Sequence, residues 1–395
     1  MSNTGNGAAA VALAVLVLEK TGSSLWVAAT LIATHGVQVG TGILTSSLSD
    51  RHSRRAVMIV SELAGGGCYL AMAFTTTPAA LLAIGMVASV FASPFNAASS
   101  AAMPNLVEPA DLSWANSMAS AGRSLGMTIG PALGGVIAAS AGASAVFATN
   151  AVSFLLSAAT IATVTGHFSG ERVPGDAHRG VAAGLSFVWR DTVLRRMMFA
   201  EAILVLGIGL VQVARVPFAE ALGLGSAGLG LLTGLWGAGL LVGSFAGRFL
   251  DVRSEPAVFV VGLAGVAVST LAIGVSPWIG GIVVLHLFVG LADALDLVAA
   301  QGMRQRRAPD AVRSRVIAAS SSVVVLAQMV GYATAGFLVD LLRPRGVYLA
   351  AGAVVAASAV LALPLLGATP PPDATAPNAA TDVADLEYGA GVGPP

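Results

Sequence analysis

Gly40-x-Gly42-x-Leu44-x-x-Ser47-x-x-x-Arg51 recurs as Gly237-x-Gly239-x-Leu241-x-x-Ser244-x-x-x-Arg248, 197 residues further along the chain. Each copy closes a long apolar run on a cation. A second echo, Glu108-Pro109 against Ala308-Pro309, opens one apolar run in each half. Self-similarity over such a period predicts a chain built twice from one multi-helix unit. Two units related in parallel place a binding site between them, near the middle of a bilayer.

The rest of the 395 residues agrees with a membrane setting. Hydrophobic residues make up 56% and charged residues 10%, where a soluble domain carries about 25% charged. That excludes a soluble enzyme, a secreted disulfide scaffold and a disordered chain. Cys68 is the only cysteine, so no internal disulfide or cysteine-based zinc site is possible. The net charge of zero gives no electrostatic case for nucleic acid. Lys20 is the only lysine and no glycine run leads into it, which removes a Walker-type phosphate loop. No cofactor or metal is expected, and the chain is not read as an enzyme.

A bilayer helix needs about 20 apolar residues. Eleven runs meet or approach that length: 25–48, 56–74, 79–102, 115–140, 143–164, 197–217, 226–249, 256–275, 278–301, 316–339 and 347–366. A twelfth, 8–18, is short, and its polar opening Ser2-Asn3-Thr4-Gly5-Asn6-Gly7 reads as a first helix truncated at its N-terminus. The fold class is therefore an all-α membrane protein with twelve transmembrane helices in two six-helix pseudo-repeats. The expected division is 1–165, a cytoplasmic linker 166–196, a second bundle 197–367, and a Pro-rich, disordered tail 368–395.

With both termini cytoplasmic, 15 of the 20 basic residues fall in inside loops and three (Lys20, Arg343, Arg345) in outside turns. That asymmetry sets the orientation. Arg123 and Arg215 fall inside spans.

Ser46-x-Leu48-Ser49-Asp50-Arg51-x-Ser53-Arg54-Arg55, after the second span, resembles the signature of the major facilitator superfamily, with serine at both glycine positions. Gly122-x-x-x-Gly126-x-x-x-Gly130-Pro131-x-x-Gly134-Gly135, in the fifth span, resembles the antiporter motif of its exporting branches. Residues 305–316, with Pro309 and Arg313-Ser314-Arg315, are similar to the segment before helix eleven in the enterobactin-exporter and macrolide-efflux-like branch. The resemblance implies alternating access by rocking of the two halves. It implies that Asp50, Arg51, Arg54 and Arg55 latch the cytoplasmic loop, and that the glycine face of span five meets a helix of the other half. The physics is independent of the family: an acid at a helix end pairs with cations or a helix N-terminus, small residues every fourth position let helix backbones approach, and Pro131 loosens its helix.

Ionisable residues inside spans are costly and read as functional candidates. Arg123 lies well inside span five, and span ten carries His286, Asp293 and Asp296. Seven residues are nearly two full turns, so His286 and Asp293 share a helix face. Glu62 and Glu201 complete the proton-coupling candidates, each also readable as a structural or interfacial carboxylate. Asn6, His35, Gln38, Asn96, Gln328 and Tyr332 are candidate cavity groups. Two departures from the family pattern matter: Asn6 stands where many relatives carry an acid, and span four lacks the basic residue of drug antiporters. Coupling then falls on Arg123 and the span-ten acids.

Two motif matches are decoys. Gly122-Arg123-Ser124-Leu125-Gly126 has the spacing of a nucleophile elbow but sits inside a membrane helix, and Gly223-x-Gly225-x-x-Gly228 has a dinucleotide-loop spacing but falls in a turn between spans. The expected function is a secondary active transporter, exporting a small amphipathic organic compound (drug or siderophore-like) against protons. Its partners are the lipid bilayer, that substrate and protons, with no nucleic acid. It is expected as a monomer, multi-pass in the plasma membrane of a bacterium. An importer of the same fold and a non-transporting receptor or scaffold are the alternatives.

Overall fold

The computed structural model describes residues 2–51, 53–108, 111–166, 168, 180–245, 254–308 and 310–367. The described residues are helical apart from short joints and a closing 3-10 turn, Leu363–Gly367. The helices are α1 (Ser2–Thr21), α2 (Ser24–Arg51), α3 (Arg54–Ala73), α4 (Pro78–Leu106), α5 (Leu112–Ala141), α6 (Ala143–Thr163), α7 (Gly180–Arg190), α8 (Thr192–Ala221), α9 (Gly225–Ser244), α10 (Glu255–Val275), α11 (Ile279–Arg307) and α12 (Asp310–Ala362). Helix α12 is two arms, 310–342 and 344–362, joined where Arg343 adopts φ 60 and ψ 163 ahead of Pro344. Counting the arms separately and setting aside the short linker helix α7, the described residues form twelve long helices.

The polar opening of the chain is helical after all: α1 starts at Ser2, so it reaches about 30 Å. Two neighbours explain this. Asn150 on α6 donates to Asn6 at 3.3 Å, and Asn3 and Thr4 lie against Gly126 of α5. The first turns of α1 are thus held by a polar contact to α6 and by the close approach of a glycine on α5. Helix α8 begins at Thr192, five residues ahead of the apolar run at 197, because Asp191 caps it by accepting from the N–H groups of Val193 and Leu194. The polar N-terminal turn is legible as a cap rather than as linker. The expected tail, 368–395, and most of the linker lie outside the described residues.

The helices divide into two bundles, α1–α6 and α8–α12, that repeat one another. In the first, Gly7 of α1 crosses Gly130 of α5; in the second, Gly209 of α8 crosses Gly331 of α12, with Cβ approaches of 3.2–3.4 Å at both. The chain separations are 202 (7 to 209) and 201 (130 to 331). The crossings between the bundles repeat the same offset. Gly135 of α5 meets Ser226 and Gly230 of α9; Gly336 of α12 meets Leu25 and Ala28 of α2. The partners map as 135 to 336, 25 to 226 and 28 to 230, offsets of 201, 201 and 202. The structural repeat is therefore 201–202 residues, where the loop motif alone reads 197. The difference accumulates between crossing and loop, a stretch four to five residues longer in α2 than in α9. Without a hydrophobic drive between helices in lipid, such glycine crossings supply the dispersion contact that holds them together.

One end of the molecule carries the short turns (residues 22–23, 74–77, 142, 222–224, 276–278 and the Arg343 joint); the other carries α7 and the N-terminus. The one large apolar cluster that spans both bundles gathers at the turn end: Val15, Leu18, Val27 and Ala28 against Val213, Phe218, Leu229, Ala335 and Val339. The other described clusters each stay within one bundle. Toward the linker end, Arg123 and Leu125 of α5 are exposed, and a Cβ on Gly122 would meet nothing within 4 Å. The bundles are closed on each other at the turn end.

Candidate functional site

The glycine face of α5 does two jobs. The stack at every fourth position, Gly126, Gly130 and Gly134, faces α1 of its own bundle: Asn3 and Thr4, then Thr4 and Gly7, then Ala8. This corrects the expectation that the stack meets the other half. That contact is made one strip round, by Pro131 and Gly135 on Gly230 and by Thr128 and Ala132 on Gly234. Gly122 contacts neither. The reason is angular: Gly135 is five residues past Gly130, about 140° round the helix from it.

Beneath the closed end lies a polar and aromatic ceiling. The Tyr332 hydroxyl donates to Gln212 Oε1 at 2.8 Å, and the His35 ring meets Tyr332 edge-on at 5.8 Å. His35 Nδ1 donates to the Leu31 carbonyl at 3.0 Å. This joins α2 of one bundle to α8 and α12 of the other. Gln328 is half-buried one turn from Tyr332, and its carbonyl faces Gly209.

Behind the ceiling, inside the second bundle, Arg215 of α8 is buried. Its guanidinium lies 6.0 Å from the Trp236 ring, and Nη1 donates to Thr233 Oγ1 at 3.4 Å. Trp236 Nε1 donates to Asp293 Oδ2 at 3.1 Å. His286 Nδ1 donates to the Ile282 carbonyl at 2.8 Å, and its Nε2 lies 3.4 Å from the Tyr348 hydroxyl. Arg215, Trp236, Thr270, His286 and Tyr348, set among valines and isoleucines, line a small cavity of about 20 Å³, room for about one water.

Nearer the linker end a second cluster is fully inside the bundle. Arg304 Nη1 of α11 donates to both carboxylate oxygens of Glu201 on α8, at 2.7 and 2.5 Å. Asp296 is 3% exposed and its Oδ1 has no hydrogen-bond partner. At the rim, Arg306 pairs with Glu255 at 2.7 Å and Arg307 with Asp191 at 3.5 Å. Arg304, counted by sequence among the loop cations, is a bundle residue, and Glu201, open to an interfacial reading, is its buried partner.

The remaining candidates sit elsewhere. Arg123 is exposed on α5, not buried. Asn96 of α4 is exposed, and Asn6 is turned into the first bundle by Asn150. Glu62 of α3 is buried against α6, where Ser157 hydrogen-bonds it and Oε2 is unpartnered. Of the loop latch, Arg54 donates to the Phe168 carbonyl at 3.3 Å; Arg55 donates to the Ala162 carbonyl and lies over the Phe168 ring. Both thus tie α3 to the end of α6 within one bundle. The side chains of Gln38, Asp50 and Arg51 lie outside the described residues.

Sequence reasoning passed over Arg215, Trp236, Gln212 and Arg304. Arg215 carried a signal, a cation mid-span. Trp236 and Gln212 carried none, since their roles depend on helix rotation.

Two six-helix bundles related by a repeat, with polar side chains where they meet, have the architecture of a membrane transporter. The family model for the Major Facilitator Superfamily matches residues 1–214 and again 197–386, and the chain belongs to that superfamily. It is 26% identical over 378 residues to the "Multidrug efflux pump Tap" of Mycobacterium tuberculosis, covering 89% of this chain and 87% of that one. It is 26% identical over 329 residues to the "Uncharacterized MFS-type transporter YfiS" of Bacillus subtilis, covering 79% and 78%. Among solved structures it is similar to a bacterial homologue of the iron transporter ferroportin in an inward-facing state, with a TM-score of 0.72 at 18% identity over 93% of this chain and 96% of that one. The nucleoside transporter NupG gives 0.73 at 14% identity over 92% and 97%. At these identities the structures speak for the fold alone.

Proposed function

We propose that this chain is a proton-coupled exporter of a small amphipathic organic compound, drug- or siderophore-like, working as a monomer in the plasma membrane with both termini cytoplasmic. The observation that carries the reading is the ceiling of His35, Gln212 and Tyr332 backed, within one bundle, by carboxylates on α11. An aromatic and hydrogen-bonding ceiling suits a cargo with apolar and polar faces. Membrane-buried carboxylates are the usual carriers of protons in such pathways. The match to an efflux pump over most of both chains supports export, and residues 305–316 support the enterobactin-exporter and macrolide-efflux-like branch. In this orientation the turn end is the outer end, and the arrangement described is closed to the outside.

Cargo enters from the linker end and rests under Tyr332 and His35. Rocking about the α5–α9 and α2–α12 crossings then opens the turn end. The test uses the purified full chain in proteoliposomes with an imposed pH gradient and ethidium as the fluorescent amphipathic probe, alongside growth of cells with and without the gene on a panel of toxic amphiphiles. Gradient-driven ethidium movement and raised tolerance are the expected results. Protection by no compound, with no gradient-driven transport, removes the reading; movement in the opposite sense makes the protein an importer.

A further inference from the structure

We propose that the elbow between α7 and α8 is a docking surface for an anionic phospholipid, with Arg190, Arg195 and Arg196 receiving the headgroup phosphate and Leu185, Trp189 and Phe199 meeting the acyl chains. The leaflet it addresses, the inner one, rests on the orientation proposed above. The binding itself rests on neither export nor proton coupling.

Helix α7 has three stripes rather than two. Gly184 and Val188 are buried: a Cβ on Gly184 would press on the Arg315 carbonyl of α12, and Val188 belongs to an apolar cluster of the second bundle. At about 100° per residue, Leu185 and Trp189 share the next strip, and Ser186 and Arg190 the one after. All four are exposed, Trp189 at 56%. One stripe thus faces protein, one is apolar and open, and one is polar and open. In water the middle stripe is a cost. At a membrane boundary it enters the lipid while its polar neighbour stays wet.

The elbow sits at that boundary. A single residue, Asp191, joins α7 to α8. Were the two helices collinear, Trp189 and Phe199 would stand about 15 Å apart along the axis. Their ring centroids are 6.0 Å apart, edge-on. Helix α7 therefore bends back at Asp191 and lays Trp189 beside the start of the apolar run at 197. Phe199 is exposed as well, so the open apolar strip of α7 continues onto the outer surface of α8. Tryptophan favours this depth, where its ring is in lipid and its N–H reaches the headgroups. Arg195 holds it there: Nη1 donates to the Trp189 carbonyl at 2.6 Å, and the guanidinium lies 5.8 Å from the ring centroid.

The charge around this strip is one-sided. Residues 180–200 carry three arginines and one acid, Asp191. That acid is engaged, Oδ1 by the first N–H groups of α8 and Oδ2 by Arg307. Arg195 spends one N–H on the Trp189 carbonyl, and among the described residues Arg190 and Arg196 make no hydrogen bond or ion pair. A guanidinium fork matches phosphate oxygens, and cations at a leaflet surface draw anionic lipid. A ligand with a phosphate and a long apolar tail satisfies both halves of the surface, whereas a soluble phosphate leaves the apolar strip bare.

The experiment uses tryptophan fluorescence of the full chain in phosphatidylcholine nanodiscs. Phosphatidylglycerol with brominated acyl chains is added in rising fraction, and brominated phosphatidylcholine in a parallel series. The chain has five tryptophans, so the Trp189 signal is taken as wild type minus Trp189→Phe. That signal is expected to be half-quenched at a lower fraction of phosphatidylglycerol than of phosphatidylcholine. Arg190→Gln with Arg196→Gln, which breaks no bond among the described residues, should raise the phosphatidylglycerol fraction by about fivefold or more and leave the other series unchanged. Arg190→Lys with Arg196→Lys keeps the charge and should keep the preference, which guards against a folding defect. Equal quenching by the two lipids, or a preference that survives the double glutamine variant, overturns the proposal. Quenching by neither lipid puts the elbow in water and also overturns it. Loss of the preference on adding soluble glycerol phosphate would make this a site for a free phosphate ester instead. The nanodiscs carry the same lipids in both leaflets and no cargo, so the result stands apart from orientation and from export.

Discussion

Adding one methyl group at Gly135 should open the turn end of the molecule. A Cβ there would press on the Ser226 carbonyl and lie 2.9 Å from Gly230 Cα and 3.1 Å from Gly230 N. These are backbone atoms of the opposite bundle, with no rotamer by which to withdraw. Overpacking of this kind costs about 1–3 kcal/mol. The cost falls only on the arrangement in which α5 and α9 touch, while the gain in helix propensity from Gly to Ala applies in every arrangement. The closed turn end should therefore lose population by a factor of about 5–150 against the open one. Gly336→Ala probes the repeated crossing. It should shift less, because its nearest obstacle is the end of a flexible side chain, Leu25 Cδ2 at 2.9 Å, and the nearest backbone atom, Leu25 Cα, is 3.2 Å away. Gly67→Ala, with nothing within 4 Å, is the control. The readout is the distance between spin labels at Ser23 and Ala221, on opposite bundles at the turn end, with Cys68 replaced. A longer distance in Gly135→Ala, less so in Gly336→Ala and unchanged in Gly67→Ala, is the expected order. An unaltered distribution in well-folded Gly135→Ala would refute the view that this crossing sets closure.

Other outcomes follow from single contacts. Glu201→Gln takes from the buried Arg304 the carboxylate that holds it and should cost about 3–5 kcal/mol, read as a lower midpoint of thermal unfolding in detergent, while Glu201→Leu with Arg304→Leu should recover most of it. Arg343→Gly removes a strained backbone conformation at an exposed joint and should stabilise by about 1–3 kcal/mol, raising the same midpoint. Tyr332→Phe leaves Gln212 Oε1 without its donor, which should cost about 1 kcal/mol and weaken ethidium retention more than it weakens folding.

Twelve spans and a twofold repeat were legible because hydropathy and small-residue spacing are one-dimensional properties. The glycines of α5 announced a close approach; which helix each one meets depends on the angle round the helix, and there the reading assigned the stack of Gly126, Gly130 and Gly134 to the wrong neighbour. The acids of α11 stood out as charges in an apolar run. Their partners did not, since Trp236 and Tyr348 are ordinary membrane aromatics until a fold turns them toward Asp293 and His286. Arg304 was hidden by position: near the end of a span, a cation reads as a loop residue. Its long side chain instead leans back along the helix toward Glu201, as helical side chains do.

The two halves share a skeleton but not a chemistry. Among the described residues, the cation–carboxylate pair of α8 and α11 has no counterpart in the first bundle, where Glu62 meets a hydroxyl, Ser157 of α6. The repeat is thus one of shape, and the buried ion pair lies on one side. In a chimera that grafts this C-terminal portion onto a foreign N-terminal partner, that pair travels with the graft, whereas the reciprocal graft carries only the walls.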